Sequence, residues 1–283
     1  MFTKQTLQEK TILVTGGGSG LGLSMATKFA ELGAKIAICG RTKDKLERAA
    51  DELKMKGAAN VAFYSVDVRD FDAVGDMMQN IDKDLGNLNV LVNNAAGNFL
   101  AASEDVSPNA FKSIVDIVLT GTFNCSQHFG NLLISKKREG SILNIVTTYT
   151  QTGSAFVLPS ACAKAGVYAM TNTLAYEWAT YNIRVNSIAP GPFPTEGAWS
   201  RLMPDPKMEK EYIRQIPAGR YGEHEELANL ATFMISDLAP YITGECVNID
   251  GGERLKSGQF NFITQAGPRP VLKQFFSMMK PGK

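Results

Sequence analysis

The most chemically specific stretch of the chain is Thr15-Gly16-Gly17-Gly18-Ser19-Gly20-Leu21-Gly22, directly after the run Thr11–Thr15 (TILVT). Glycines there let the backbone turn tightly and approach a pyrophosphate with no Cβ in the way. A helix starting at Gly20 offers unpaired N–H groups and the positive end of its dipole to the same anion. Gly16, Gly18, Ser19, Gly20 and Leu21 are therefore the candidate phosphate-binding residues, and their setting between a strand and a helix is that of a dinucleotide fingerprint. The second β-branched run ends in Gly40-Arg41, with no acid at its tip to accept from ribose hydroxyls; Asp44 comes later, inside the next helix. Arg41 can pair with a 2′-phosphate, so the sequence favours NADPH over NADH, the alternative being a solvated surface cation. Asp67-Val68, after the third run, places a carboxylate where it can accept from an adenine amino group. Asn93-Asn94-Ala95-Ala96-Gly97 follows the fourth, and its small residues, with Asn94 and Ala95 foremost, allow close approach to the cofactor.

These residues need a scaffold that gathers strand tips. Strand candidates are Thr11–Thr15, Lys35–Cys39, Val61–Val66, Asn89–Val92, Ser141–Val146, Arg184–Ile188 and Cys246–Ile249. Helices are expected over Gly20–Leu32, Lys43–Lys56, Phe71–Leu85, Pro108–Lys136, Pro159–Ala179 and Glu225–Ile235. Alternation of this kind predicts βαβ units, hence an α/β fold with a doubly wound, parallel seven-stranded sheet (a Rossmann fold). Ligands in that architecture sit beyond the carboxyl ends of the strands. One domain is expected over residues 1–283. The rhythm breaks over about 192–222, read as a small substrate lid or else an ordinary long loop, and a tail covers about 253–283.

A net charge of +1 makes no electrostatic case for nucleic acid as a main partner. The longest apolar runs are strand-sized, so no membrane span is expected. The N-terminal residues carry neither a secretory h-region nor an Arg-rich bias, which predicts a cytoplasmic setting; a trimmed organelle precursor would read the same. Four separated cysteines are read as free, buried thiols, and two histidines exclude a His-rich metal site, so no metal is expected.

The stretches TGGGSGLG, NNAAG, Pro190-Gly191 and Asp250-Gly251-Gly252 together resemble the short-chain dehydrogenase/reductase family over nearly the whole chain. Most of that family carries Tyr-x-x-x-Lys on the helix after the fifth strand. Here the matching segment is Ser160-Ala161-Cys162-Ala163-Lys164, and none of the eight tyrosines precedes a lysine by four residues. Thr147 stands where the family has its upstream Ser, and Val118 where it has a helical Asn. These departures resemble the 2,4-dienoyl-CoA reductases of the mitochondrial and peroxisomal type, which place a Tyr eleven residues before that Ser; the position is Tyr149. NNAAGNF, LPSACAKAG, PGPF, WSRL and GQFN are similar to theirs as well.

The resemblance implies a site. Asn98 and Tyr149 would stabilise the oxygen of a dienoyl thioester, as an oxyanion hole does. Lys164 would hold the nicotinamide ribose, Ser160 would bond within the same cluster or serve only to pack its helix, and Pro190, Gly191 and Phe193 would lie along the cofactor. Phe99, Ser107 and Arg201 match substrate-contacting positions, or are routine packing and surface charge. An acyl-CoA substrate, a 3-enoyl-CoA product, a role in β-oxidation and a homotetramer follow as expectations. The tail from Lys273 to Lys283 covers the CoA path or a subunit interface, and its Pro-Gly-Lys end is not a peroxisomal Ser-Lys-Leu address. Two other readings stay open: a carbonyl or alcohol oxidoreductase of the wider family, and a non-catalytic NADP-binding protein.

Overall fold

The computed structural model describes residues 2–58, 60–195 and 206–279. Seven strands form one sheet: β1 (Thr11–Thr15), β2 (Lys35–Gly40), β3 (Val61–Ser65), β4 (Leu88–Asn93), β5 (Gly140–Ile145), β6 (Ile183–Pro190) and β7 (Cys246–Ile249). All neighbours pair in parallel, in the order β3-β2-β1-β4-β5-β6-β7. The order reverses between β1 and β4, which opens a crevice at their carboxyl ends. The expected strands all form, with ends moved by a residue or so.

The helices are α1 (Gly20–Glu31), α2 (Lys43–Met55), α3 (Phe71–Asp84), α4 (Pro108–Val115), α5 (Gly121–Ser135), α6 (Tyr149–Thr152), α7 (Leu158–Trp178), α8 (Pro206–Gln215), α9 (His224–Ile235) and α10 (Arg269–Met278). Alternate strand residues face opposite sides, so Ile12, Val14, Ile36 and Ile38 pack on α1, α2 and α9, while Leu13, Ala37 and Leu91 pack on α3 and α5. Both faces are covered, which is why these strands read as nearly unbroken apolar runs.

The single helix expected over Pro108–Lys136 is divided. A π turn, Asp116–Thr120, joins α4 to α5. Its buried Val118 packs with Ile114, Val146, Ala163 and Val167, and its carbonyl accepts from Thr122 Oγ1 at 2.6 Å. Beyond the turn, α5 runs so close to the exit of β3 that a Cβ on Gly121 would come within 2.5 Å of Val68. Asn124 Nδ2 donates to the Val68 carbonyl there at 2.9 Å. The cysteines also need a correction: Cys39 and Cys125 are buried, but Cys162 is exposed on α7.

Candidate active site

The tip of β1 is fixed to the tip of β4. Thr15 Oγ1 accepts the N–H groups of Asn94 and Ala95, each at 2.9 Å, and Asn94 Nδ2 donates to the Thr15 carbonyl at 3.0 Å. Gly16 and Gly20 have φ of +65° and +55°, where side chains are strained. Gly22 lies against the turn it follows: a Cβ there would meet the Gly16 carbonyl at 2.5 Å. Ser19 is the N-cap of α1, and its side chain makes no capping bond, so the first N–H groups of the helix have no side-chain cap. An anion at that terminus would meet them and the helix dipole.

A cavity of about 200 Å³ opens beside this loop, lined by Gly16, Gly18, Ser19, Arg41, Lys45, Asp67, Val68, Ala95 and Ala96, among others. The structure thus brings Arg41, Asp67 and Val68 to one place, with Ile117 of the π turn as a further wall. Both Asp67 oxygens bond Arg69, at distances down to 2.6 Å, and the Arg69 guanidinium holds that carboxyl below its usual range. Lys45 was missed in the sequence; a second cation four residues after Arg41, on the first turn of α2, was its signal.

The second group of residues lies past β4 and β5. Tyr149 opens α6, and its hydroxyl stands 3.1 Å from Ser160 Oγ on α7 and accepts from Asn98 Nδ2 at 3.5 Å. The Asn98 amide is oriented by its own loop, because Oδ1 accepts the Phe99 N–H at 2.9 Å and leaves Nδ2 facing the phenol. Ser160 is 3% exposed and Lys164 8%, one helical turn apart on α7. Lys164 Nζ donates to the Ile145 carbonyl at the end of β5. Burial pushes its ammonium down to about 8, since the charged form loses water it cannot replace. Next to Lys164 on α7, Ala163 packs in an apolar cluster with Ile114, Val118, Val146 and Val167, and Phe99, next to Asn98, packs against it.

Other expected positions fall differently. Ser107 is the N-cap of α4 and its hydroxyl accepts from Ala110 N at 3.2 Å, so it holds a helix end. Phe193 turns its ring into the core against Gly222 and leaves its backbone for any cofactor contact. Pro190 ends β6, and Gly191 donates to the Ile249 carbonyl at 2.9 Å, closely packed on Asp250. Arg201, with the WSRL stretch and residues 196–205 of the expected lid, lies outside the described residues. Neither histidine enters the site: His224 bonds Ser24 and the Pro194 carbonyl, and His128 packs on Phe71. Among the described residues no cluster of three potential metal ligands exists, and no helix is long and apolar enough to cross a membrane.

Comparison with known proteins gives the family. The profile of the family described as Enoyl-(Acyl carrier protein) reductase matches residues 16–253. A Bacillus subtilis protein named probable 2,4-dienoyl-CoA reductase [(2E)-enoyl-CoA-producing] is 42% identical, over 90% of this chain and 100% of its own. A Caenorhabditis elegans protein named probable 2,4-dienoyl-CoA reductase 3 [(3E)-enoyl-CoA-producing] is 43% identical, over 88% of this chain and 81% of its own. Among solved structures, a short chain dehydrogenase from Bacillus anthracis superposes with a TM-score of 0.80 at 44% identity, covering 89% of this chain and 99% of that one. From the doubly wound sheet, the glycine turn and these relatives together, the chain belongs to the short-chain dehydrogenase/reductase family and is an oxidoreductase, alongside proteins named as 2,4-dienoyl-CoA reductases.

Proposed function

We propose that the chain is an NADPH-dependent 2,4-dienoyl-CoA reductase that serves the breakdown of unsaturated fatty acids. The observation that carries this reading is the convergence of Asn98 Nδ2 and Ser160 Oγ on the Tyr149 hydroxyl. A carbonyl reductase of the ordinary kind needs a phenol on the α7 lysine's own helix, and that position is Ser160.

The residues present fit a dinucleotide. A Cβ on Gly17 or Gly22 would come within 2.5 Å of its neighbours, the amino end of α1 would meet the phosphates, and Arg41 and Lys45 line the cavity where a 2′-phosphate would lie. Lys164 would hold the nicotinamide ribose hydroxyls, and the Pro190–Gly191 turn would border the ring. NADPH, when bound, would supply a hydride, which the δ carbon of the dienoyl thioester would accept. Negative charge then spreads to the thioester oxygen, where Asn98 Nδ2–H and Tyr149 Oη–H donate to it. Ser160 O–H donates in turn to Tyr149 Oη, which keeps the phenol's own proton aimed at the substrate. The Lys164 ammonium adds a positive field close by. A proton from water at the α carbon completes a 3-enoyl product, with Phe99 flanking the acyl chain. Protonation at the γ carbon would give a 2-enoyl product, and the names of the two relatives differ on this point. A homotetramer in a cytoplasm is part of the same proposal.

The test is oxidation of NADPH with a 2,4-dienoyl-CoA, followed by location of the product double bond. Turnover restricted to ketones or 3-ketoacyl thioesters, or dinucleotide binding with no acyl-CoA turnover, would defeat the reading.

A further inference from the structure

Helix α8 is joined to the body of the protein by a buried contact that the reaction itself does not use. Tyr212 Oη donates to Glu253 Oε1 at 2.7 Å. Glu253 is a carboxylate only 9% exposed, and among the described residues no lysine or arginine pairs with it. A buried carboxylate without a cation depends on its hydrogen-bond donors. The Asp250-Gly251-Gly252 turn places it. Gly251 and Gly252 have φ of +61° and +88°, and Asp250 accepts from the N–H groups of Gly252 and Arg254. The other oxygen of Glu253 faces the turn after β6, since a Cβ on Gly191 would lie 3.3 Å from Oε2. One carboxylate therefore touches α8 on one side and the Pro190–Gly191 turn on the other. Two weaker ties run alongside, from Ala218 N to the Gly251 carbonyl at 3.0 Å and from Lys256 Nζ to Gln215 Oε1 at 3.4 Å. Burial and the Glu253 bond hold the Tyr212 phenol above its usual range, so it stays a neutral donor, tied through Glu253 to the turn that would border the nicotinamide.

We propose that Tyr212 and Glu253 are positioning residues that fix α8 as one wall of the acyl-thioester path, so that their bond governs how the substrate is held and leaves the hydride step alone. This rests on the dienoyl-CoA reading above. The experiment compares Tyr212→Phe, Glu253→Ala, Glu253→Gln and the double variant Tyr212→Phe/Glu253→Ala. Kinetics with a 2,4-dienoyl-CoA are measured beside amide hydrogen exchange over residues 206–215. Tyr212→Phe and Glu253→Ala are each expected to raise KM for the thioester about tenfold and to leave kcat within about twofold. The double variant is expected to be no worse than the worse single, and Glu253→Gln to keep most of the affinity because its amide oxygen still accepts from Tyr212. Unchanged KM, additive losses, or a Glu253→Gln variant as weak as Glu253→Ala would overturn the proposal. If the wild-type protein turns over no dienoyl-CoA, the function reading falls and exchange alone decides. Faster exchange in Tyr212→Phe that Glu253→Gln does not share keeps the contact as the fastening of α8; unaltered exchange in Tyr212→Phe removes it.

Discussion

Tyr149 and Ser160 are eleven residues apart in the chain, on different helices, and their hydroxyls stand 3.1 Å apart. Ser160 is buried and occupies the place where most relatives carry the phenol, so the phenol has moved while the polar centre of the site stays beside Lys164. Under the proposed dienoyl-CoA reading, the change suits a substrate whose charge must be held at an oxygen some way from the carbon that receives hydride.

Tyr149→Phe is expected to lower kcat on a 2,4-dienoyl-CoA about a hundredfold or more, and Asn98→Ala by a similar order, because each removes one donor from the developing oxyanion. Ser160→Ala is expected to cost about tenfold, since it only orients the phenol. NADPH affinity, followed by fluorescence titration, should be unaltered in all three. Near-normal turnover in both Tyr149→Phe and Asn98→Ala would remove the proposed oxyanion site.

Arg41→Ala is expected to raise KM for NADPH by about ten- to a hundredfold while changing KM for NADH little, because a guanidinium–phosphate pair is lost only with the former. Lys45→Ala should act in the same direction with a smaller effect, as a point charge on the same cavity wall. Steady-state kinetics with both cofactors check this; equal losses for NADH and NADPH would place the 2′-phosphate elsewhere.

Lys164 gives a pH dependence with a definite sign. Its ammonium is held at about 8 in the folded protein, against an ordinary 10.5. Between those values the unfolded chain binds the extra proton, so the cofactor-free protein gains stability from this group as pH rises from 8 to 10.5. Below 8 the buried charge costs roughly 3 kcal/mol. Lys164→Met is therefore expected to melt higher than wild type at pH 7, with the gap closing above 8, while its activity is lost. Thermal melts across that range measure it, and a gap independent of pH would contradict it. In the wild type, activity should fall above the lysine's pKa as the ammonium proposed to hold the ribose and stabilise the oxyanion is lost.

Gly22→Ala tests the phosphate turn without touching charge. Its Cβ would lie 2.5 Å from the Gly16 carbonyl and 2.6 Å from Asn94 Nδ2, so α1 must move away from the strand tips. A loss of about 1–3 kcal/mol in stability is expected, seen as a lower Tm, together with weaker dinucleotide binding. A variant with wild-type Tm and affinity would show that the turn has slack.

Much of this protein is legible in its residues read in order. Strand–helix alternation gives the doubly wound sheet, because both faces are covered and strands such as β1 and β2 read as nearly unbroken apolar runs. The glycine turn is equally local: backbone freedom, strand exit and helix start all lie within Thr15–Gly22. Other features depend on neighbours distant in sequence. The helix expected over 108–136 takes a π turn at Asp116–Thr120, where Val118 packs into a cluster with Val146, just past β5, and residues of α4, β6 and α7. Ser107 reads as a substrate contact, and only the packed start of α4 shows that its hydroxyl also caps a helix. Lys164 reads as a ribose ligand, but only its burial against the Ile145 carbonyl sets its pKa. The meeting of Asn98, Tyr149 and Ser160, and of Tyr212 with Glu253, joins segments 11 to 51 residues apart. Hydrogen bonds of that span are fixed by how the sheet and helices pack in space, and no local pattern of residue types encodes them.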